Sequence, residues 1–135
     1  MNYRRRLFFM ALAMIVAFGA VTLVALEGHE VVVLQTVGLQ GETRHTRTWV
    51  ADDEGYTWIE AANAERPFLL QITANPDVQL ERGGVLHPCR AIPAPNPAGH
   101  ERIRRLLAQK YGWADRWVAL LTDTSESIAV RLECR

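Results

Sequence analysis

The loop Gly38-Leu39-Gln40-Gly41-Glu42 is followed at once by Thr43, Arg44, His45 and, after Thr46, Arg47. Two glycines let a backbone turn tightly and present its N–H groups. Arginine is the side chain best shaped for bidentate contact with phosphate. A glycine turn with arginines just beyond it is the composition of a cradle for a phosphorylated ligand. The same residues also suit an ordinary hairpin turn with a polar outer face, because Gly-x-x-Gly alone is a weak motif. In a strand, Arg44 and Arg47 point to opposite faces while His45 and Arg47 share one. Arg44, nearest the turn, is the preferred anion ligand.

Other residues offer a choice between ligand contact and plain structure. Tyr56 and Trp58 fall on one strand face, where they would wall a planar ring or simply fill the core. Asn63 offers an amide to a ring edge or caps the helix that follows. Tyr111 and Trp113 would pack over a pocket or join a helix to a sheet. His29, His45, His87 and His100 show no shared ligand spacing, so no metal site is expected. Ser125 and Ser127 lie near no Gly-x-Ser-x-Gly elbow, which leaves hydrolase chemistry unsupported. Hydride transfer needs no protein nucleophile, since a bound cofactor performs the difficult step. A formal net charge of zero gives no broad electrostatic case for nucleic acid.

The elements that must position these residues follow from pattern. Val31–Val37 is a near-continuous apolar run, fit for a strand buried on both sides. Thr43–Ala51 alternates as a half-buried strand, and Asp52-Asp53-Glu54-Gly55 turns it back into Tyr56–Ala61. Ala64–Thr73 changes to a helical period, with Phe68, Leu69 and Ile72 on one face, and Asn75-Pro76-Asp77 stops it. Val78–Glu81 and Val85–Ile92 flank Arg82-Gly83-Gly84 as a second hairpin. Pro93, Pro95 and Pro97 force an extended linker. Ala98–Lys110 reads as a helix with Ile103, Leu106, Leu107 and Lys110 along one side and Arg102, Arg104 and Arg105 as a solvated face. After Gly112, Trp113, Trp117 and Leu121 continue as a second helical stripe, and Ile128–Leu132 closes as a strand. The fold class is α+β: a six-stranded antiparallel barrel with two or three packed helices.

Leu7–Leu26 stands apart. Its twenty residues carry no charge and would form a helix about 30 Å long, enough to cross a bilayer. Arg4, Arg5 and Arg6 precede it, so the positive-inside rule puts the N-terminus in the cytoplasm and the rest outside. A cleaved signal peptide shares the basic start, but the apolar stretch is long and no small-x-small cleavage site follows it. Residues 1–28 are thus expected to be a membrane anchor and 29–135 a barrel domain. Cys89 and Cys134 are too few for a disulfide scaffold; they either pair, if the domain lies outside the cytoplasm, or stand as separate thiols in strands.

The run VVVLQTVGLQGETRHTRTWVADDEGYTWIEAANAERP, continuing through ANPDVQL, HERIRRLLAQKYGWADRWVALL and SIAVRLE, resembles the deazaflavin-dependent nitroreductase-like proteins of the split β-barrel, flavin-binding group. The resemblance covers nearly all of Glu30–Glu133. It implies a split barrel, often a homodimer, that holds an 8-hydroxy-5-deazaflavin coenzyme or FMN and passes hydride to quinones, nitro compounds or similar acceptors. In such proteins a Gly-x-x-Ser-Gly-x-x-Arg loop wraps the cofactor phosphates. Here Gly38, Gly41 and Arg44 match, Gln40 stands where the family has Ser, and Leu39 replaces a basic residue. Ala61-Ala62-Asn63-Ala64 stands in place of an Ala-Ser-x-Gly-Gly-like segment beside the ring. Together with the residue readings above, the candidate cofactor contacts are Gly38, Gln40, Gly41, Arg44, His45, Arg47, Ala62 and Asn63.

The resulting expectation is a membrane-anchored oxidoreductase acting on a small-molecule electron acceptor, with the bilayer as a partner through Leu7–Leu26. The lost serine and cation, and a barrel placed outside the cytoplasm, support a second expectation: a non-catalytic tethered barrel that binds a small ligand or a partner protein.

Overall fold

The computed structural model describes residues 2–135. The chain opens with helix α1 (Tyr3–Glu27), and three residues later begins strand β1 (Val31–Val37). There follow β2 (Thr43–Trp49), β3 (Ala51–Asp53), β4 (Tyr56–Ala61), α2 (Pro67–Ala74), β5 (Asp77–Arg82) and β6 (Val85–Pro93). Helices α3 (Ala98–Tyr111) and α4 (Trp113–Leu121) precede the last strand, β7 (Ile128–Cys134). One antiparallel sheet runs in the order β2-β1-β5-β6-β7-β4-β3 and curls into a half-barrel.

There are seven strands, not six. The expected strand Thr43–Ala51 is broken at Val50, so its two parts form the two ends of the sheet. The break has a local cause. The Val50 N–H donates to the Tyr111 hydroxyl at 3.1 Å, and the Val50 carbonyl accepts from Lys110 Nζ at 2.7 Å. Side chains of α3 thereby take the backbone groups that a ladder would use.

The concave face holds the main core: Val32 and Leu34 of β1, Ile59 of β4, Leu80 of β5 and Leu132 of β7, closed by Phe68, Leu69 and Ile72 of α2. On β1 the burial alternates, so the strand is buried on one side only; Val31, Val33, Gln35 and Val37 are half-exposed. Helix α2 starts at Pro67, later than expected, because proline pre-sets the first helical φ. Asn63 does not cap it. Its side chain accepts instead from the Glu65 N–H at 3.1 Å, within the preceding loop.

The convex face of β3, β4 and β7 receives α3. Ile103, Leu106, Leu107 and Tyr111 form its buried stripe over Ala51, Trp58 and Ala129. Burying such side chains contributes about 1.5–3 kcal/mol each, against well under about 1 kcal/mol for a surface ion pair, so apolar contact docks the helix. Two of the three arginines expected in solvent are not there. Arg102 pairs with Asp53 and lies over the Trp58 ring, 5.0 Å from its centroid. Arg104 turns inward to Glu60 and Asp115. Trp58 is therefore core, and Tyr56 lies under Arg131 at the hairpin end; neither walls a ligand site.

The β5–β6 hairpin turns through Gly83 and Gly84, both at positive φ (59° and 77°), a two-residue turn that glycine adopts without steric cost. Cys89 and Cys134 face each other in register across β6 and β7 and form a disulfide. Of the two expectations for these cysteines, the structure realises pairing.

Helix α1 is not detached from this body. Ala25 is fully buried, Trp49 Nε1 donates to the Leu26 carbonyl at 3.4 Å, and Arg47 pairs with Glu27. Further back, Trp117 Nε1 donates to Thr22 Oγ1 at 3.0 Å and its ring meets Phe18. The remaining length of α1 carries its apolar side chains exposed. It is long and apolar enough to cross a membrane.

Candidate functional site

A cleft of about 590 Å³ runs between β2, the start of α2 and the helices α3 and α4. Its polar wall is β2. Arg44 stands opposite Thr36 and Arg47 opposite Val33, so the two arginines emerge on opposite faces of the strand. Both still border the cleft, because β2 is an edge strand and its unpaired edge lies along the opening. Arg47 is committed to Glu27 of α1, whereas Arg44 has no carboxylate partner among the described residues.

On the same opening, Arg66 stands immediately before α2 and is likewise free of ion pairs among the described residues. No side chain caps this helix; Pro67 has no N–H, and the Leu69 and Leu70 N–H groups donate to the Arg66 carbonyl at 2.9 and 3.2 Å, which leaves the Phe68 amide at the helix start. A basic residue at a helix N-terminus opposes the macrodipole. That oddity was visible in the sequence as Arg66-Pro67 and is the signal by which Arg66 could have been found.

The apolar wall is Pro67 and Phe68 of α2, Leu107 of α3 and Val118 of α4. At the inner end Arg104 bridges two carboxylates: Nη1 reaches Glu60 at 3.0 Å and Nη2 reaches Asp115 at 2.7 Å. Burial alone would lower the Arg104 pKa, but the Glu60 charge and the Asp115 contacts hold it above its ordinary value. The triad is thus a fixed, ion-paired end to the cleft. Arg104 is spent on its own carboxylates, and nothing in the sequence spacing announced that pairing.

The structure separates the eight positions named as cofactor contacts. Arg44, His45, Arg47 and Ala62 border the cleft; Gly38, Gln40, Gly41 and Asn63 do not. The glycine turn is closed upon itself. Gly38 N–H donates to the Glu42 carbonyl at 2.8 Å, Gly41 N–H to the Gly38 carbonyl at 3.0 Å, and Gln40 N–H to the Glu42 carboxylate at 3.1 Å. A Cβ on Gly38 would fall 1.7 Å from Glu42 Oε1. The chain's own carboxylate sits where an anion was expected. Tyr111 is also structural: its ring stacks on Trp49 with centroids 4.2 Å apart.

The fold is that of several solved proteins. A conserved hypothetical protein of Mycobacterium tuberculosis superposes with a TM-score of 0.58 at 18% identity, over 87% of this chain and 79% of that one. A reductase dependent on F420-H2, FDR-A, gives 0.57 at 18% identity, over 76% of this chain and 93% of that one. A chain known as a domain-swapped dimer gives 0.57 at 19% identity, over 77% and 79%. At these identities the likeness defines the class of protein, a split-barrel fold. The chain belongs to the F420H(2)-dependent quinone reductase family, whose model matches residues 10–133. That match reaches back from Glu30 into α1, further than the resemblance read from the sequence. The family is one of deazaflavin-dependent reductases, and it lends FMN no support. No functionally curated protein matches the chain.

The cleft fits such a cofactor in its chemistry. Two guanidinium groups without ion-pair partners among the described residues suit a phosphate. The facing apolar wall suits a planar ring.

Proposed function

We propose that this protein is a membrane-anchored reductase that passes hydride from a reduced deazaflavin to a quinone, a nitro compound or a similar electron-poor acceptor. The observation that carries this reading is the cleft: Arg44 and Arg66 border one opening with an apolar wall, in a chain of a deazaflavin-dependent family. When bound, the deazaflavin supplies the hydride. The chain's own residues grip and orient. Arg44 and Arg66 would hold the cofactor phosphate by charge-assisted hydrogen bonds, with His45 and Ala62 on the rim. Phe68, Leu107 and Val118 keep water from the ring's neighbourhood. Arg104, pinned by Glu60 and Asp115, fixes the inner end without offering a free cation.

Anchoring through Leu7–Leu26 would bring the cleft to a bilayer that dissolves lipophilic acceptors, raising their local concentration. Arg4–Arg6 and the Cys89–Cys134 disulfide support an N-terminus in the cytoplasm and a barrel on the oxidising side. A homodimer draws support from the domain-swapped relative of similar fold.

The disulfide also favours a second reading, because reduced deazaflavin is not ordinarily supplied outside the cytoplasm. On that reading the barrel is a non-catalytic tethered module for a small ligand or a partner protein. One experiment separates the two. Full-length protein in detergent is titrated with deazaflavin, loaded with the reduced form and given a quinone. The reductase reading expects saturable binding and return of the oxidised chromophore's visible absorbance. Failure to take up either oxidation state would leave the binding module.

A further inference from the structure

Helix α4 carries its apolar residues on the wrong side for a core helix. Of the helical stripe Trp113, Trp117 and Leu121, Trp117 packs against the α3 core and α1, while the other two turn outward. Trp113 is 45% exposed, Leu120 81% and Leu121 49%, while the buried positions are Ala114 and Asp115. Asp115 is the acid that faces Arg104. The exposed surface of α4 thus carries two leucines and a tryptophan, with Arg116 as its one charge and Asp123 just beyond the helix end.

What covers this face follows from the partner of α4. Trp117 contacts Phe18 and Thr22 of α1. Those residues lie eight and four positions before Leu26, the last apolar residue of the span. At 1.5 Å per residue they sit about 12 and 6 Å back along the helix axis. If α1 crosses a bilayer, a residue hydrogen-bonded to Thr22 cannot stand clear of it. It lies at the depth of the interface, where tryptophan is enriched. One turn earlier Trp113 meets His29 beyond the end of α1, so α4 runs back along α1 and the leucines one turn after Trp117 lie no shallower than it does. Arg116 has a stem long enough to carry its charge to the headgroups.

We infer that α4 is a second membrane contact, a short helix that enters the interface of the leaflet on the barrel's side along the flank of α1, with Leu120 and Leu121 in lipid and the open edge of Trp117 beside them. This rests on the reading that α1 spans the bilayer. The occupant is lipid rather than a second copy because the face is continuous with the apolar flank of α1 through the Trp117 contact. One consequence concerns the cleft: Leu26 and Val118 border it, so it opens beside the lipid surface.

The test uses the full chain in lipid nanodiscs, with single-cysteine variants carrying an environment-sensitive fluorophore. Leu120→Cys and Leu121→Cys report on α4, Ile15→Cys on the middle of α1, and Val85→Cys on the distant β5–β6 turn. Quenching by brominated lipid is compared with quenching by iodide. The inference expects the α4 and α1 labels to be quenched by lipid and the Val85 label by iodide. Lipid quenching at Ile15 with iodide quenching at Leu120 and Leu121 would overturn the α4 contact and leave the span standing. Iodide quenching at Ile15 would remove the span and the inference with it. Labels on α4 shielded from both quenchers and cross-linking between copies would replace lipid by self-association and also overturn it.

Discussion

The hydroxyl of Tyr111 accepts from the Val50 N–H at 3.1 Å and donates to the Glu30 carbonyl at 2.7 Å. One side chain from α3 thus satisfies the backbone at the break between β2 and β3 and at the entry to β1. Removing the hydroxyl strands buried backbone groups, at a cost of about 1–3 kcal/mol. Tyr111→Phe, which keeps the ring on Trp49, is expected to lower the unfolding free energy by that amount, read as a lower midpoint at unchanged slope in chemical denaturation. An unchanged midpoint would show that water replaces the hydroxyl.

Arg44→Ala and Arg66→Ala should each weaken deazaflavin binding by more than tenfold, since a charge-assisted contact contributes about 1.5–3 kcal/mol. Gly41→Ala, in the closed turn, should leave binding unchanged even though its positive φ (82°) strains the fold. Fluorescence titration of the three variants measures both. Binding lost in Gly41→Ala but kept in Arg44→Ala would move the site back to the glycine turn.

Acid should loosen the seam where Arg82 bridges two carboxylates. Arg82 Nε reaches Glu30 at 2.9 Å and Nη2 reaches Asp52 at 2.7 Å. The hydrogen bonds from Arg82 hold the pKa of both acids below their ordinary values, with Lys110 also favouring the Glu30 carboxylate. The folded state therefore binds fewer protons than the unfolded one at mild acidity. This stabilisation is full above the unfolded values, near about 4, and is lost as pH falls through the lower folded values. Thermal midpoints recorded from neutral pH downward should fall in that window. Glu30→Gln should flatten part of the decline, and a curve parallel to the wild type would remove Glu30 from the account.

The cystine joins strands 45 residues apart in sequence, and a cross-link of that span stabilises by about 2–4 kcal/mol. Reductant, or Cys134→Ser, should lower the thermal midpoint by several degrees. In intact cells the two thiols should resist alkylation until a reductant is added. Free labelling without reductant would mean that the barrel faces the cytoplasm.

Much of the architecture was legible because period and turn chemistry are local. Gly83-Gly84 and the stripe at Ile103, Leu106 and Leu107 each declare an element on their own, whereas the helical period puts the start of α2 three residues ahead of Pro67. The seventh strand was hidden because the break at Val50 is made by Tyr111 and Lys110, 60 residues away in sequence, and no pattern around Val50 records it. The site was half legible for the same reason. Arg44 follows from its distance to the glycine turn, whereas the pairing of Arg104 with Glu60 and Asp115 depends on how α3 and α4 meet. The helix α4 was legible as an element, but not what its apolar side meets. Apolar spacing marks a face that avoids water, and it does not say whether protein or lipid takes water's place.

Only Gly28, His29 and Glu30 separate α1 from the first strand, and Glu27 and Ala25 are already gripped by the body beyond. Such a tether has no slack. The folded part cannot swivel on its stalk, and if α1 spans a bilayer as proposed, every copy would present the same side to the surface beneath it. An acceptor confined to two dimensions would then meet the opening at a fixed angle, with no tumbling search between encounters.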